Sequence, residues 1–456
     1  MLEEKMTATE KRVAVSLTAI FASRMLGLFL IFPIFAIAAE HLKGATPSRV
    51  GIAIGIYGLT QAIFQIPLGM LSDRIGRKPV IISGLVLFAV GSVVAALSDS
   101  LTGVIIGRAL QGTGAVASVV MALAADLTRE EHRIKVMAFI GMGIGLSFSI
   151  AIVLSPVLYS MVGLAGVFWV IAILAVTGIL ITLYWVPTPV TSRFQRESEV
   201  EIGLFRNVLT DTQLLRLDAG IFFLHFMLVS FFVVVPHILR DQLGLTVSHH
   251  WQVYLPVFAA SVIAMVPFII LAEKKRKLKQ VFVGAIVVLA LSQLGIPFFR
   301  NSIVLLMIVL WLFFSAFNLL EATLPSLVAK LAPAGRKGTA MGAYTSSQFL
   351  GVFLGGMVGG TLNGAYGLGG VVAFNVSLAL LWAILAITMK KPQFNSSYLL
   401  KVGNVSENEA QLLVDKLMAV VGVAEASVIA EDGIAYLKID KERVNMEELH
   451  QYAISA

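Results

Sequence analysis

The sequence predicts an all-α membrane protein of twelve transmembrane helices in two six-helix halves, followed by a small α+β domain. Three observations carry that prediction. Of 456 residues, 58% are hydrophobic and only 13% charged, and the mean hydropathy of +0.89 lies far outside the range of soluble domains. The apolar residues gather into twelve stretches, most near the roughly 20 residues that cross a bilayer as a helix. From about residue 398 the hydropathy drops and charge rises.

Approximate spans are 13–39, 50–71, 79–97, 102–124, 134–160, 165–186, 215–238, 250–272, 280–298, 302–324, 339–363 and 368–389. The first is too long for the apolar core of a signal peptide and lacks a cleavage pattern, so it is expected to remain as a span. Lys and Arg set the orientation. The N-terminus, every second loop and the residues just after the last span hold 23 basic residues, whereas the opposite loops hold only Lys43, Arg49, Arg240 and Arg300. That asymmetry predicts both termini in the cytoplasm and an even number of spans.

The same charges dispose of other functions. A net charge of +7 reads as loop charge that orients the chain, so no nucleic-acid partner is expected. With no cysteine, the chain has no disulfide framework, thiolate metal site or cysteine nucleophile. It shows no G-x-x-x-x-G-K-[ST] loop for ATP, no set of nucleophile, base and orienting residue, and no metal-ligand spacing. No enzyme activity, cofactor or metal is expected.

The longest polar interruption between spans, residues 187–214, separates an N-terminal half (1–186) from a C-terminal half (215–391), with the small domain at 392–456. The halves carry a trace of repetition: GMLSDRIGRKPVIISG at 69–84 aligns without a gap to IILAEKKRKLKQVFVG at 269–284, matching Asp73 to Glu273, Arg74 to Lys274, Arg77 to Lys277 and Gly84 to Gly284. Two parallel repeats of six helices are a transporter architecture.

The loop after the second span resembles the major facilitator superfamily signature G-x-L-a-D-r-x-G-r-k-x at Gly69, Leu71, Asp73, Arg74, Gly76, Arg77 and Lys78. RALQGTGA at 108–115 is similar to the family's fourth-helix motif, with Arg108 and Gly112. The resemblance covers about residues 13–389, and with the tail included the chain resembles a drug-efflux group within that family. It implies the major facilitator fold and alternating access. Physical reasoning gives the loop residues their tasks: Arg74, Arg77 and Lys78 hold it at the cytoplasmic surface, Gly76 permits a tight turn, and Asp73 at bilayer depth needs a partner. The resemblance supplies the partners: Arg77, then Asp126 acting through Arg77, and the positive end of the eleventh helix near Gly338. Together with Arg108 these residues form the expected conformational latch. On the fifth helix the family's antiporter motif has a Gly-Pro pair, where this chain has Ser155 before Pro156.

Polar residues inside spans are costly unless they face a neighbour or a cavity. Tyr57, Gln61 and Gln65 recur every four residues on one face of the second span, and Asn318 and Glu321 share a face of the tenth. With Arg24 on the first span, these residues are the expected substrate cavity. Glu321 is the leading proton carrier. His225 either titrates near neutral pH or serves as hydrogen-bonded packing. Arg24 and Arg108 must point inward, for function or for structure. Gly351, Gly355 and Gly359 recur at spacing four and read as close helix packing.

In the tail, SYLLKVG reads as a strand, SENEAQLLVDKLMAV as an amphipathic helix, EASVIAE and IAYLKID as strands, and NMEELHQYAIS as a second helix. That order fits a ferredoxin-like module. It resembles heavy-metal-associated domains but lacks their cysteine pair, so a regulatory role is expected, with a protein partner or self-association. The reading as a whole is a secondary transporter in the lipid bilayer that exports small amphipathic compounds against protons. Proton-coupled uptake of a small solute and a membrane ligand sensor signalling through the tail stand as alternatives.

Overall fold

The structure is a computed structural model that describes residues 6–188, 210–274, 277–332, 337–389, 396–403, 405–429, 433–439 and 443–453. Among the described residues, ten helices are long and apolar enough to cross a membrane. Two of them, Glu130–Tyr184 and Lys337–Ile387, are double length, and each turns at a glycine: Gly163 has φ 66° and ψ −176°, and Gly367 has φ 62° and ψ −158°. Positive φ is a conformation that glycine alone adopts without a steric penalty. The two turns fall in the gaps expected between spans 5 and 6 and between spans 11 and 12, so ten helices make twelve crossings. Each turn opens a similar short sequence, Gly163-Leu164-Ala165-Gly166 and Gly367-Leu368-Gly369-Gly370, and each closes one half of the molecule.

Span 1 is Ala8–Phe29 continued by Phe32–Ala38, span 2 is Pro47–Ile75 and span 3 is Arg77–Ala96. Span 4 is Leu101–Thr113 with Ala117–Asp126. Span 7 is Thr212–His237, extended by a wider turn at Ile238–Gln242. Spans 8, 9 and 10 are Trp251–Lys274, Leu278–Phe299 and Ile303–Leu331. Several helices run past the expected boundaries into charged residues, because backbone hydrogen bonding continues where hydropathy stops. The interruptions in spans 1 and 4 leave no hydropathy signal. At the second of them the backbone of Gly114 passes so near span 3 that a Cβ on Gly84 would lie 2.2 Å from Val116 Cγ1 and 3.3 Å from the Gly114 carbonyl. Gly284, matched to Gly84 in the repeat, has nothing within 4 Å of such a Cβ. Glu273 and Lys274 have side chains outside the described residues, as does most of the 187–214 connection.

The halves meet most closely where the start of span 2 crosses the end of span 11. A Cβ on Gly51 would lie 2.0 Å from the Gly356 carbonyl, on Gly55 2.6 Å from that of Phe353 and on Gly58 2.5 Å from that of Phe349. Such backbone contact is open only to small residues. The opposite face of span 11 packs on span 7: a Cβ on Gly351 or Gly355 would lie 2.3 or 2.4 Å from the carbonyls of Phe222 and Phe226, and one on Gly359 2.8 Å from Ser230. The spacing of these three glycines is therefore packing. At the other end of the same spans, the face that carries the start of span 1 and the end of span 12, the fit loosens. Gly342 has open space within 4 Å, and a Cβ on Gly69 would meet only Ser118 Oγ, at 3.5 Å.

Each half is closed at that terminal face by an arginine. Arg12, opening span 1, donates to the carbonyls of Trp185 at 2.8 Å and Tyr184 at 3.1 Å, at the end of span 6. Arg216, opening span 7, donates to Thr388 O at 2.7 Å, at the end of span 12, where Lys279 also donates to Ile387 O and Met389 O at 2.7 and 2.6 Å. These cations satisfy carbonyls that a helix terminus leaves unpaired.

The tail forms β1 (Ser396–Lys401), helix Glu407–Ala419, β2 (Val423–Ile429), β3 (Ile434–Ile439) and the short helix Met446–His450. Its sheet order is β1-β3-β2, with β3 antiparallel to both neighbours. That is the ferredoxin-like arrangement over a core of Leu400, Leu417, Leu437, Ile439 and Leu449. Ser406 caps the first helix in a reciprocal box with Glu409, whose carboxylate those bonds hold below its ordinary pKa.

Candidate functional site

Glu321 and His225 lie on spans 10 and 7, and the fold brings them together: His225 Nε2 stands 3.8 Å from Glu321 Oε2. Span 11 supplies a third group, Gln348, whose Nε2 is 2.8 Å from His225 Nε2 and 3.5 Å from Glu321 Oε1. The other ring nitrogen, Nδ1, is 3.3 Å from the Ile221 carbonyl. An Nδ1–H donating there leaves Nε2 to accept from the Gln348 amide, so the imidazole is neutral in this arrangement. Glu321 Oε2 has no hydrogen-bond partner among the described residues. Tyr344, also on span 11, is within electrostatic reach of Glu321 and of the buried Asp218. Asn318 shares a helix face with Glu321 but turns to span 8, donating to Ser261 Oγ at 2.9 Å.

An aromatic seam between the halves adjoins this triad. The Phe148 ring of span 5 lies 5.6 Å from Phe258 of span 8, 5.9 Å from Phe317 of span 10 and 5.0 Å from Phe29 of span 1. Phe317 in turn is 5.9 Å from the His225 ring.

The polar residues of the N-terminal half are buried. Arg24, Tyr57, Gln61 and Gln65 are each at most 3% exposed and form a connected seam. Arg24 bonds Gln61, which donates to Gln65 Oε1 at 3.2 Å. A spacing of four places residues on one face but does not say what that face meets. Here it meets span 1, span 4 through Ser118 Oγ bonding to Gln65 O, and the Phe349 ring of span 11, 6.2 Å from Tyr57. The Arg24 guanidinium sits 5.8 Å from the ring centres of Tyr57 and Phe88, and its Nε and Nη1 have no hydrogen-bond partner.

The terminal-face cluster takes the expected form in part. Gly76, at φ 97°, turns the chain from span 2 into span 3. Arg77 pairs with Asp73 and, at 3.0 Å, with Asp126 at the end of span 4, and it donates to Ser72 Oγ at 2.7 Å. Lys78 donates to Thr188 Oγ1 at 3.2 Å, while Arg74 is exposed. Gly338 is exposed too, and it follows residues 333–336, which are outside the described residues. Arg108 does not join this cluster. It donates to the carbonyls of Ala53 at 3.3 Å and Ile54 at 3.1 Å and to Gln111 Oε1 at 3.0 Å, bracing span 4 against span 2 some 18 residues from Asp126.

Sequence reasoning missed Gln348 and a second ionic group. At the face opposite the termini, Glu40 at the end of span 1 accepts from Arg240 at 2.6 and 3.0 Å and contacts His237 Nε2 at 3.0 Å, both at the end of span 7. Ser48 and Thr361 hydroxyls meet nearby at 2.9 Å, joining span 2 to span 11.

Two six-helix halves in contact along glycine-lined helices, with ionisable pairs placed within and between them, define an integral membrane transporter and not an enzyme. The chain belongs to the major facilitator superfamily, matching the family description Major Facilitator Superfamily over residues 17–278 and 220–413. It is 48% identical over 452 residues, 99% of each chain, to the inner membrane transport protein YajR of Escherichia coli (strain K12). Over 347 residues, 75% of this chain and 84% of the relative, it is 26% identical to the multidrug resistance protein MdtH of Aeromonas salmonicida (strain A449). Among solved structures, a bacterial homolog of the human lysosomal transporter Spinster, in an inward-facing and occupied conformation, superposes with a TM-score of 0.69 at 15% identity, covering 85% of this chain and 98% of that one.

Proposed function

We propose that the protein exports small amphipathic compounds in exchange for protons by alternating access, with Glu321 and His225 as the proton-carrying pair. The observation that carries this reading is the approach of the two residues to 3.8 Å with Gln348 between them. One acidic and one basic group from two different spans share this site, so a single proton can pass on and off the pair. The seam of Phe29, Phe148, Phe258 and Phe317 beside it suits an apolar ligand body, and the carboxylate suits a basic group upon it. The name of the multidrug-resistance relative agrees with such a substrate. The excess of Lys and Arg on the terminal face assigns that face to the cytoplasm.

On this reading the contact of spans 2 and 11 closes the external side, and Asp73, Arg77 and Asp126 form the half-latch that meets its partner when the halves rock the other way. The tail modulates this cycle. Ser155, standing where the family's antiporters have glycine and bonded to Leu30 O of span 1, favours proton-coupled uptake as a second reading. Flux in vesicles decides: a pH difference should drive substrate out of the cytoplasmic compartment in the wild type and not in Glu321→Gln. Inward flux with protons would replace export by uptake, and binding without flux would replace transport by sensing.

A further inference from the structure

At the face opposite the termini the ends of spans 1 and 7 bring four charged or titratable groups together. His237 Nδ1 is 3.0 Å from the carbonyl of Val233, and its Nε2 is 3.0 Å from Glu40 Oε1. Both neighbours are acceptors. A neutral imidazole has one N–H and one lone pair, so it would set that lone pair against a carbonyl or a carboxylate at hydrogen-bond distance; only the imidazolium donates at both positions. Charge balance gives the same answer. Arg240 pairs with Glu40 and, at 2.5 Å, with Asp241, so one arginine faces two carboxylates, and the group is neutral only when His237 carries a proton. Tyr159 of span 5 is within electrostatic reach of Glu40 and Arg240, and His250 is within reach of Arg240. Neither supplies a second cation that donates to Glu40.

The site is open to solvent and crosses between the halves. The His237 side chain is 26% exposed and that of Glu40 36%, and one belongs to span 7 while the other belongs to span 1. Beside them lies the Ser48–Thr361 contact, and then the glycine crossing of spans 2 and 11. Separating the halves at this face therefore separates His237 from its carboxylate and leaves Nε2 without the acceptor it now faces.

We propose that His237 and Glu40 form a second proton-binding site, filled from the face opposite the termini, whose loaded form holds that face closed. The ligand is a proton taken from the solution on that side. The assignment of this face as external rests on the orientation proposed above, whereas the link between protonation and closure does not.

The chain has no cysteine, so Lys43→Cys and Gln242→Cys, both exposed and beyond the ends of spans 1 and 7, give a unique pair for spin labels. Distances are measured in nanodiscs from pH 5 to 9 in a Glu321→Gln background, where the interior carboxylate cannot titrate. The short-distance population should dominate at pH 5 and fall at least threefold by pH 9. His237→Lys, with its charge fixed across this range, should keep that population high throughout, and His237→Gln should keep it low throughout. A distribution unchanged with pH, or an undiminished pH response in both variants, overturns the proposal. Loss of pH-driven flux in Glu321→Gln tests the interior pair separately and leaves this distance response standing.

Discussion

His225 and His237 stand twelve residues apart on span 7 and are bonded alike: each places Nδ1 against the carbonyl four residues earlier and turns Nε2 toward a carboxylate of another span. At 1.5 Å per residue they are about 18 Å apart along the helix. What differs is the filling of the last position. The amide of Gln348 stands at His225 Nε2, whereas Glu40 meets His237 directly. One helix thus presents a histidine met by an amide in the interior and another met by a carboxylate at the surface.

For the interior pair, Glu321→Gln should reduce pH-driven flux in reconstituted vesicles to background while exchange between equal substrate pools survives. Gln348→Leu should retain coupling but shift the pH midpoint of flux by about one unit, since it removes the hydrogen bond that stabilises neutral His225. Unaltered midpoints in Gln348→Leu would show that the amide plays no part.

At the terminal face, Asp73→Asn and Gly76→Val should each lower the transport rate with insertion intact. The valine must adopt a φ near 97° with ψ near 152°, a backbone strain of roughly 1–3 kcal/mol. Membrane yield and flux are measured together, and normal flux in both variants would end the latch hypothesis.

The glycine crossing makes a contrasting pair. Gly51→Val forces spans 2 and 11 apart, so it should lower thermal stability and lengthen the Lys43–Gln242 label distance. Gly342→Ala, which enters open space, should change stability by less than about 0.5 kcal/mol. Equal melting temperatures for the two would contradict the crossing as described.

The two buried arginines should behave differently. Arg108→Met strips donors from two span 2 carbonyls and from Gln111, and should cost on the order of 1.5–3 kcal/mol for each charge-assisted bond lost. Arg24→Met removes a guanidinium with two unpartnered nitrogens, so its melting temperature should stay level or rise. An equal fall for both would mean that Arg24 is bonded as firmly as Arg108.

Deleting residues 392–456 should leave an inserted carrier with altered rate or association, because the sheet and its own small core form a separate cluster from that of the spans. Failure to insert would make the tail a folding element.

The spans were legible because lipid demands long apolar runs, and the gaps at Gly163 and Gly367 were legible as short losses of hydropathy. The breaks in spans 1 and 4 were not, since they are made by backbone geometry among residues as apolar as their neighbours. Glu321 and His225 stood out singly as costly residues, yet no periodicity links positions 96 apart in sequence. Gln348 was hidden in TSSQF, where a polar residue near the start of a span carries no surprise. Glu40 and Arg240 read as ordinary loop charge, although Arg240 is one of only four basic residues in the loops of its face, a scarcity that could have marked it. The Tyr57, Gln61, Gln65 face was legible from its spacing but its packing against spans 1, 4 and 11 was not, because a helical period fixes a direction and not a neighbour.

The clamps made by Arg12 on the end of span 6 and by Arg216 on the end of span 12 join first helix to last within each half, never across the two. Each half is thereby tied off as its own unit before it meets the other. A cell making residues 1–188 and 210–456 as two separate polypeptides should therefore assemble a working carrier from the pieces, with the peptide bond between the halves dispensable once both are in the bilayer.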